Sequence, residues 1–330
     1  MTQSRRCDIM AAGGMELVTE KKRTLLERFP VRKTYAQKSA FIEYAKTVAR
    51  EKGIGVTVEE GGKRIRSRNI VFGNPARARV LITAHYDTCA GLPFPNLMTP
   101  DNWPVIIATE GLLFAALILL GIWGGRGIRL LLRMAACPGW LALAAGFLAG
   151  TGISLGLLAL MLVGPANKSN ANDNTSGVLF VLSAMERFAQ RQDVAYVLFD
   201  NEEKGLLGAS AFIAAHPQIA RRALIVNMDC IGDGDTLLYT GTKRAMMHPL
   251  ARRIADALKE AAPRHGFKPV CGEFPKWLYP SDQMLFPRGT AFAALKGKRI
   301  LYLDRIHTKK DTVLEEANIR CLLNVLEQSL

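Results

Sequence analysis

Two stretches of this chain are almost free of polar charge. Residues 104–123 carry a single charge, Glu110, in 20 positions, and residues 134–164 carry none in 31. A helix rises about 1.5 Å per residue, so ~20 residues cross the ~30 Å hydrocarbon layer of a bilayer. The sequence GGRGIRLLLR between them reads as a short basic turn. The pattern predicts an insertion over 93–165 that forms a two-helix transmembrane hairpin. Two buried helices or an apolar lid of a soluble protein are the alternative, but 31 uncharged residues exceed what a core helix needs. Glu110 would cost ~2.5–3.5 kcal/mol at mid-bilayer, so it is expected near an interface. Glycines four apart, Gly146 with Gly150 and Gly152 with Gly156, permit close helix contact.

Outside 93–165 the pattern changes to short apolar runs alternating with helical periodicity. Runs over 56–59, 69–73, 79–84, 194–199 and 223–228 read as strands. Thr34 caps a helix that Gly53 closes. Val178, Leu179, Val181, Leu182, Met185 and Phe188 recur at helical spacing, and 251–262 and 311–330 also read as helices, the last with Asp311 or Thr312 at its N-cap. Strands alternating with helices predict an α/β fold: a mostly parallel mixed sheet with helices on both faces. Residues 1–92 and 166–330 would make one discontinuous domain, interrupted by the hairpin.

Charge divides the chain in the same way. It has 43 Lys+Arg against 29 Asp+Glu, a net +14, and a mean hydropathy of +0.10. Residues 1–91 carry 18 bases and 9 acids, 92–166 carry 3 and 2, and 167–330 carry 22 and 18. An apolar content of 49% excludes a disordered chain. No aromatic-interleaved basic motif accompanies the charge, so a lipid bilayer is expected as partner and nucleic acid is not, with residues 63–68 the best contact. Arg126, Arg129 and Arg133 in the turn argue for a cytoplasmic turn. The more basic N-terminal flank and the lack of a signal-peptide h-region in residues 1–30 outweigh them, and cytoplasmic flanks are expected. Cys7, Cys89, Cys137, Cys230, Cys271 and Cys321 show no C-x-x-C and read as reduced thiols, Cys230 as a possible lining of the site. His216, His248 and His265 read as surface residues.

The remaining histidines keep different company. His85-Tyr-Asp87, Asn172-Asp173-Asn174, Asp200-Asn-Glu202-Glu203, Asn227-Met-Asp229 and His307-Thr-Lys-Lys-Asp311 follow apolar runs or precede a helix. Singly, each is an ordinary surface pair, cap or turn. Together, two histidines and several carboxylates at one rim of a sheet have the composition of a Zn²⁺ site.

On the motifs LITAHYDT, ANDNTSGV, LFDNEEKGLLGA, NMDCIGDGD, SDQMLF and HTKKDT, the chain resembles the M28 zinc aminopeptidases, α/β exopeptidases of the phosphorylase/hydrolase-like fold. The resemblance implies two Zn²⁺ ions, other divalent metals being compatible. Asp173 would bridge them, His85 and Asp229 would complete one site, and Glu203 and His307 the other. Glu202 would be the general base and Asp87 would orient His85. A peptide, apolar or membrane-associated, is the expected substrate, and a homo-oligomer is compatible with this reading. Two departures stand out: Gln283 occupies a position where many relatives have His, and the apolar insertion replaces a short loop. A carboxypeptidase or other amidohydrolase, or a glutaminyl cyclase using one zinc, are alternatives on the same fold. A catalytically inactive membrane-bound scaffold is the alternative of another class, opposed by the complete set of ligands and base.

Overall fold

The computed structural model describes residues 18–330 except Pro93 and Pro95. Residues 18–28 are helical (α1) and lead to α2 (Tyr35–Glu51), which Thr34 caps through a reciprocal box with Gln37. Strands β1 (Val56–Gly61), β2 (Ser67–Phe72) and β3 (Val80–His85) follow. Two long helices, α3 (Trp103–Met134) and α4 (Gly139–Val163), interrupt them. The chain then continues through α5 (Gly177–Arg187), β4 (Val194–Phe199), α6 (Leu207–Ala215), α7 (Pro217–Arg222), β5 (Leu224–Met228) and β6 (Thr236–Gly241). It ends with α8 (Lys243–Met246), α9 (Pro249–Arg264), β7 (Lys268–Glu273), β8 (Gly289–Leu295) and α10 (Glu316–Ser329).

The described strands form one sheet in the order β1-β2-β4-β3-β5-β8-β6-β7. Its centre, β4-β3-β5-β8, is parallel, and β1, β2 and the β8–β6 pair bring antiparallel neighbours. Side chains alternate across it with the strand period of two. Ile70, Ile82, Tyr196 and Val226 enter one core, whereas Val71, Leu81, Val197 and Ile225 enter the other. Both faces are covered, which is why the central strands read as continuous apolar runs.

The two apolar helices are not core helices. Only 6% of the most apolar window of each is buried, and Ile107, Leu112, Phe114, Leu119, Phe147 and Leu160 are exposed. Both are long and apolar enough to cross a membrane. They pack on each other through α3 Gly121 and Gly125 against α4 Gly146 and Gly150. A Cβ on Gly150 would sit 2.6 Å from Gly121 O, and one on Gly146 2.7 Å from Gly125 O. Gly152 and Gly156 face open space, so only the first glycine pair makes this crossing.

Several expectations need correcting. The basic segment 124–133 is not a turn: α3 runs through it to Met134, and the chain reverses over 135–138, where Ala136 has a φ of 58° and Pro138 precedes α4. The second apolar helix is therefore 25 residues long. The last helix starts at Glu316 with Glu315 as its N-cap, so neither Asp311 nor Thr312 caps it. The apolar run before His307 makes two isolated bridges, Lys296 with Tyr302 and Met98 with Leu303. Arg68 turns inward, its guanidinium bonding Ser39 Oγ and Tyr35 O, and so leaves the expected lipid contact. His216 pairs with Glu59 at 2.8 Å, and His248 caps α9. Cys89, Cys137, Cys230, Cys271 and Cys321 are free thiols. Cys7 and the reading of the chain's start lie outside the described residues, the latter for residues 1–17.

Candidate active site

Three central strands end side by side, and each delivers acid or imidazole at its carboxyl end. His85 closes β3, Asp200 to Glu203 follow β4, and Asp229 follows β5. In open α/β sheets this is the edge where ligands bind. Asp173 comes from a single wide helical turn, residues Ala171–Ser176, in which Asp173 and Asn174 leave helical geometry. Neighbouring amides hold that turn: Asn172 Oδ1 accepts from Gly232 N at 2.7 Å, and Asn174 Nδ2 donates to Met228 O at 2.9 Å. Asn201, Cys230 and His307 have φ values of 54°, 53° and 60°, a conformation that L-residues adopt at a cost and that clusters at functional sites.

The two oxygens of Asp173 address two histidines. Oδ1 lies 3.2 Å from His85 Nε2, and Oδ2 lies 3.0 Å from His307 Nε2. Asp229 Oδ1 is 4.0 Å from His85 Nε2, and Glu203 Oε2 is 3.4 Å from His307 Nε2. Donors around a four-coordinate ion bound at about 2.0–2.1 Å lie ~3.3 Å apart. Three of these four separations match that edge length, and the fourth is wider by a fraction of an ångström. Glu203 Oε1 is buried without a hydrogen-bond partner, as expected of an oxygen meant for a cation. His85, Asp173 and Asp229, their ligand atoms within 4.8 Å of one another, therefore fit a divalent metal, and Glu203 and His307 pair on the other side of Asp173.

Asp87 lies beside His85 but divides its contacts. Its backbone carbonyl is 3.2 Å from His85 Nδ1 and its Oδ1 3.6 Å away, while the same Oδ1 accepts the Glu202 N–H at 3.0 Å. Glu202 lies in a cluster with His85 and Glu203, their ligand atoms within 4.8 Å of one another. Burial works against charge on His307, yet Glu203 and Asp173 raise it to about 10. Burial likewise opposes the ionised form of Asp173, but His307 and His85 hold it well below the usual carboxylate range. Glu203 rises to about 7, through burial and Asp173, against the pull of His307.

The sequence reading assigned no role in the site to four contributors. Asp282 is fully buried with neither oxygen bonded, and burial first, then Asp87, Asp229 and Glu203, push it to about 8. Arg32, also fully buried, donates to Tyr86 O, Phe29 O and Thr175 Oγ1 and sets a cation behind the acids. Asp311 grips the Asp173 turn from the His307 loop. Cys89 joins Glu203 and His307, the three ligand atoms within 4.8 Å of one another. Gln283 is committed to its neighbours: Nε2 donates to Tyr279 O at 2.6 Å and Oε1 accepts from Asn227 at 3.1 Å.

The family model described as peptidase family M28 matches residues 160–325, half of the chain. The chain belongs to peptidase family M28. No curated protein matches the sequence of this M28 member. Its fold is similar to that of a Zn-dependent exopeptidase from Parabacteroides distasonis, at a TM-score of 0.59 and 14% identity over 96% of each chain. It is also similar to a Porphyromonas gingivalis glutaminyl cyclase, at 0.57 and 16% identity over 93% of this chain and 95% of that one. The Legionella pneumophila LapA aminopeptidase gives 0.53 and 13% over 94% and 68%. At such identities these likenesses show the fold that the M28 chain shares.

Proposed function

We propose that this M28 protein is a membrane-anchored dizinc aminopeptidase. Asp173 would be shared by two zinc ions, with His85 and Asp229 on one side and Glu203 and His307 on the other. One observation carries the reading: the two Asp173 oxygens address two different histidines, at 3.2 and 3.0 Å, and each histidine has a further acid beside it. Zinc, when bound, polarises a scissile carbonyl and acidifies the attacking water. The rest is done by side chains. Each metal set already has three donors, so Glu202 is spare and takes the proton from the water. Asp87 holds the Glu202 backbone and so its place. Glu202 then returns the proton to the leaving amine.

Residues 103–163 would form the membrane hairpin. It springs from the rim of the site: Gly91 N donates to Pro165 O, Leu92 N to His307 O, and Lys33 Nζ to Leu162 O. A cavity of about 850 Å³ at its base is lined by Phe94, Pro165, Lys168, Arg305, Lys309 and Lys310 among others. Those bases stand just beyond the end of α4, which supports cytoplasmic flanks and contact with anionic headgroups. The mouth of the site would then lie close to the bilayer and favour apolar or membrane-associated peptides.

The likeness to glutaminyl cyclases supports a second reading on the same residues, cyclisation of an N-terminal glutamine with one zinc. Metal analysis with peptide turnover, comparing wild type with Glu202→Gln, separates the readings. Two zinc ions per chain, retained in a variant that no longer cleaves, fit the aminopeptidase. Full activity in the variant removes Glu202 from its role, and a cyclised product with one zinc favours the second reading.

A further inference from the structure

We propose that Cys89 supplies a sulfur donor to the metal position of Glu203 and His307, which makes that position softer than the one of His85 and Asp229. The inference deepens the two-metal reading and rests on it. Cys89 lies four residues beyond His85, where the chain leaves the sheet for the hairpin, and its side chain is buried. The backbone fixes it there, since Cys89 O accepts from Asn167 N at 3.1 Å and Ala90 bridges Ala166 on the returning segment. Its Sγ, a Glu203 oxygen and a His307 nitrogen lie within 4.8 Å of one another. Independently, Glu203 Oε1 is left unpartnered on a side chain only 9% exposed.

A zinc–sulfur bond of ~2.3 Å beside nitrogen and oxygen bonds of ~2.0–2.1 Å puts neighbouring donors ~3.3–3.6 Å apart. Small side-chain shifts bring the group to that spacing. With Asp173 Oδ2, the position would have one nitrogen, two oxygens and one sulfur. As the sulfur–metal bond forms, the S–H that donates to Asn170 Oδ1 at 3.6 Å breaks, that hydrogen bond is lost and the proton passes to solvent. Thiolate selects thiophilic ions, Zn²⁺ and Cd²⁺, over Mg²⁺ and Mn²⁺. The His85–Asp229 position, with nitrogen and oxygen donors alone, lacks that preference.

Metal-free full-length protein titrated with Co²⁺ or Cd²⁺ tests this by near-ultraviolet absorption. Wild type should bind two equivalents, one of them with a thiolate-to-metal charge-transfer band. Cys271→Ser, remote from the site, should keep the band. Cys89→Ser should lose it, and its Cd²⁺ affinity at one position should fall by at least ~10-fold. Cys89→Asp, which restores a charged donor, should bind two equivalents without the band and so shows that loss of the band is not unfolding. Two equivalents without a thiolate band in wild type, or a band that survives in Cys89→Ser, overturns the inference and leaves the two-metal reading standing. Fewer than two equivalents in wild type overturns both.

Discussion

Asp311 holds Asp173 by its backbone: the Asp311 carboxylate accepts the N–H of Asp173 at 3.0 Å and that of Asn172 at 2.8 Å. One loop thus carries His307 and, four residues on, the clamp on the residue His307 must meet. Asp311→Asn replaces one acceptor oxygen by an NH₂ that faces an N–H. We expect a loss of about 1–3 kcal/mol in stability, the cost of a buried unsatisfied group. Metal affinity should fall ~10–100-fold, as for other outer partners of metal ligands. Chelator competition and urea unfolding of the metal-free protein measure the two effects. Unchanged metal affinity would dissociate Asp311 from the site.

The two glycine pairs of the second apolar helix make opposite predictions. A side chain at Gly150 meets Gly121 O at 2.6 Å and cannot be accommodated while the helices keep their crossing. Gly150→Leu should destabilise the hairpin by ~1–3 kcal/mol, the usual cost of overpacking. Nothing lies within 4 Å of a Cβ on Gly152, and Gly152→Leu should change stability by less than ~0.5 kcal/mol. Thermal unfolding in detergent compares them. Equal effects would mean that the crossing is not through Gly121, Gly125, Gly146 and Gly150.

A pH effect is expected away from the site, at the start of α9. His248 Nδ1 accepts the Leu250 N–H at 3.3 Å, which only the unprotonated nitrogen does. Burial, then Arg288 and Arg79, lower the His248 pKa from 6.5. The folded state therefore binds this proton less readily than the unfolded chain does. The cap's contribution is complete above the unfolded value, ~6.5, and is lost as pH falls through the lowered folded value. Unfolding at pH 7.5 and 5.5 should show a loss of at most ~1 kcal/mol from this group, the scale of an N-cap. His248→Asn should retain a cap and remove that component. An identical pH dependence in the variant would exclude it.

What the sequence made legible is what local chemistry enforces. Strands β3, β4 and β5 are buried on both faces, so their apolar runs stand out, and the residues that follow them must lie at one edge. His85, Glu203 and Asp229 converge for that reason, whereas Asp173 and His307 reach them from the turn before α5 and the loop before α10. The strands β6, β7 and β8 were not read. β8 is built of Gly, Thr, Ala, Phe and Leu and buries mostly small side chains, and β7 is half-exposed and contains Pro269, so neither shows a strong period. Asp311 was misread because an acid before a helix has the local signature of an N-cap, whereas its partners lie 138 and 139 residues away. Cys89 and Asp282 gave no sequence signal beyond their motifs, since their meaning depends on which carboxylates face them. The length of α3 was hidden by its glycines, which punctuate soluble helices but sit readily within apolar ones.

Removing the hairpin tests the link between membrane and site. The cut should spare residues 96–102, because Met98 bridges Leu303, Pro100 O accepts from Leu278 N, and Asp101 accepts from Leu301 N. Helices α3 and α4 run antiparallel, as the pairing of Gly121 with Gly150 and of Gly125 with Gly146 requires, so a short Gly/Ser linker replaces 103–163 without pulling on either end. The residues proposed to bind metal lie outside the cut, and turnover of a short soluble peptide should stay within ~2-fold. With an apolar peptide partitioned into liposomes, the intact chain and its substrate share one surface, which raises their effective concentration, and excision should lower turnover on the order of 10-fold or more. Anionic vesicles should show the smaller effect, since Lys168, Lys309 and Lys310 remain at the rim of the excised protein and still draw it to them. Equal turnover of the liposome-bound peptide with and without the hairpin would show that the helices anchor nothing the site depends on.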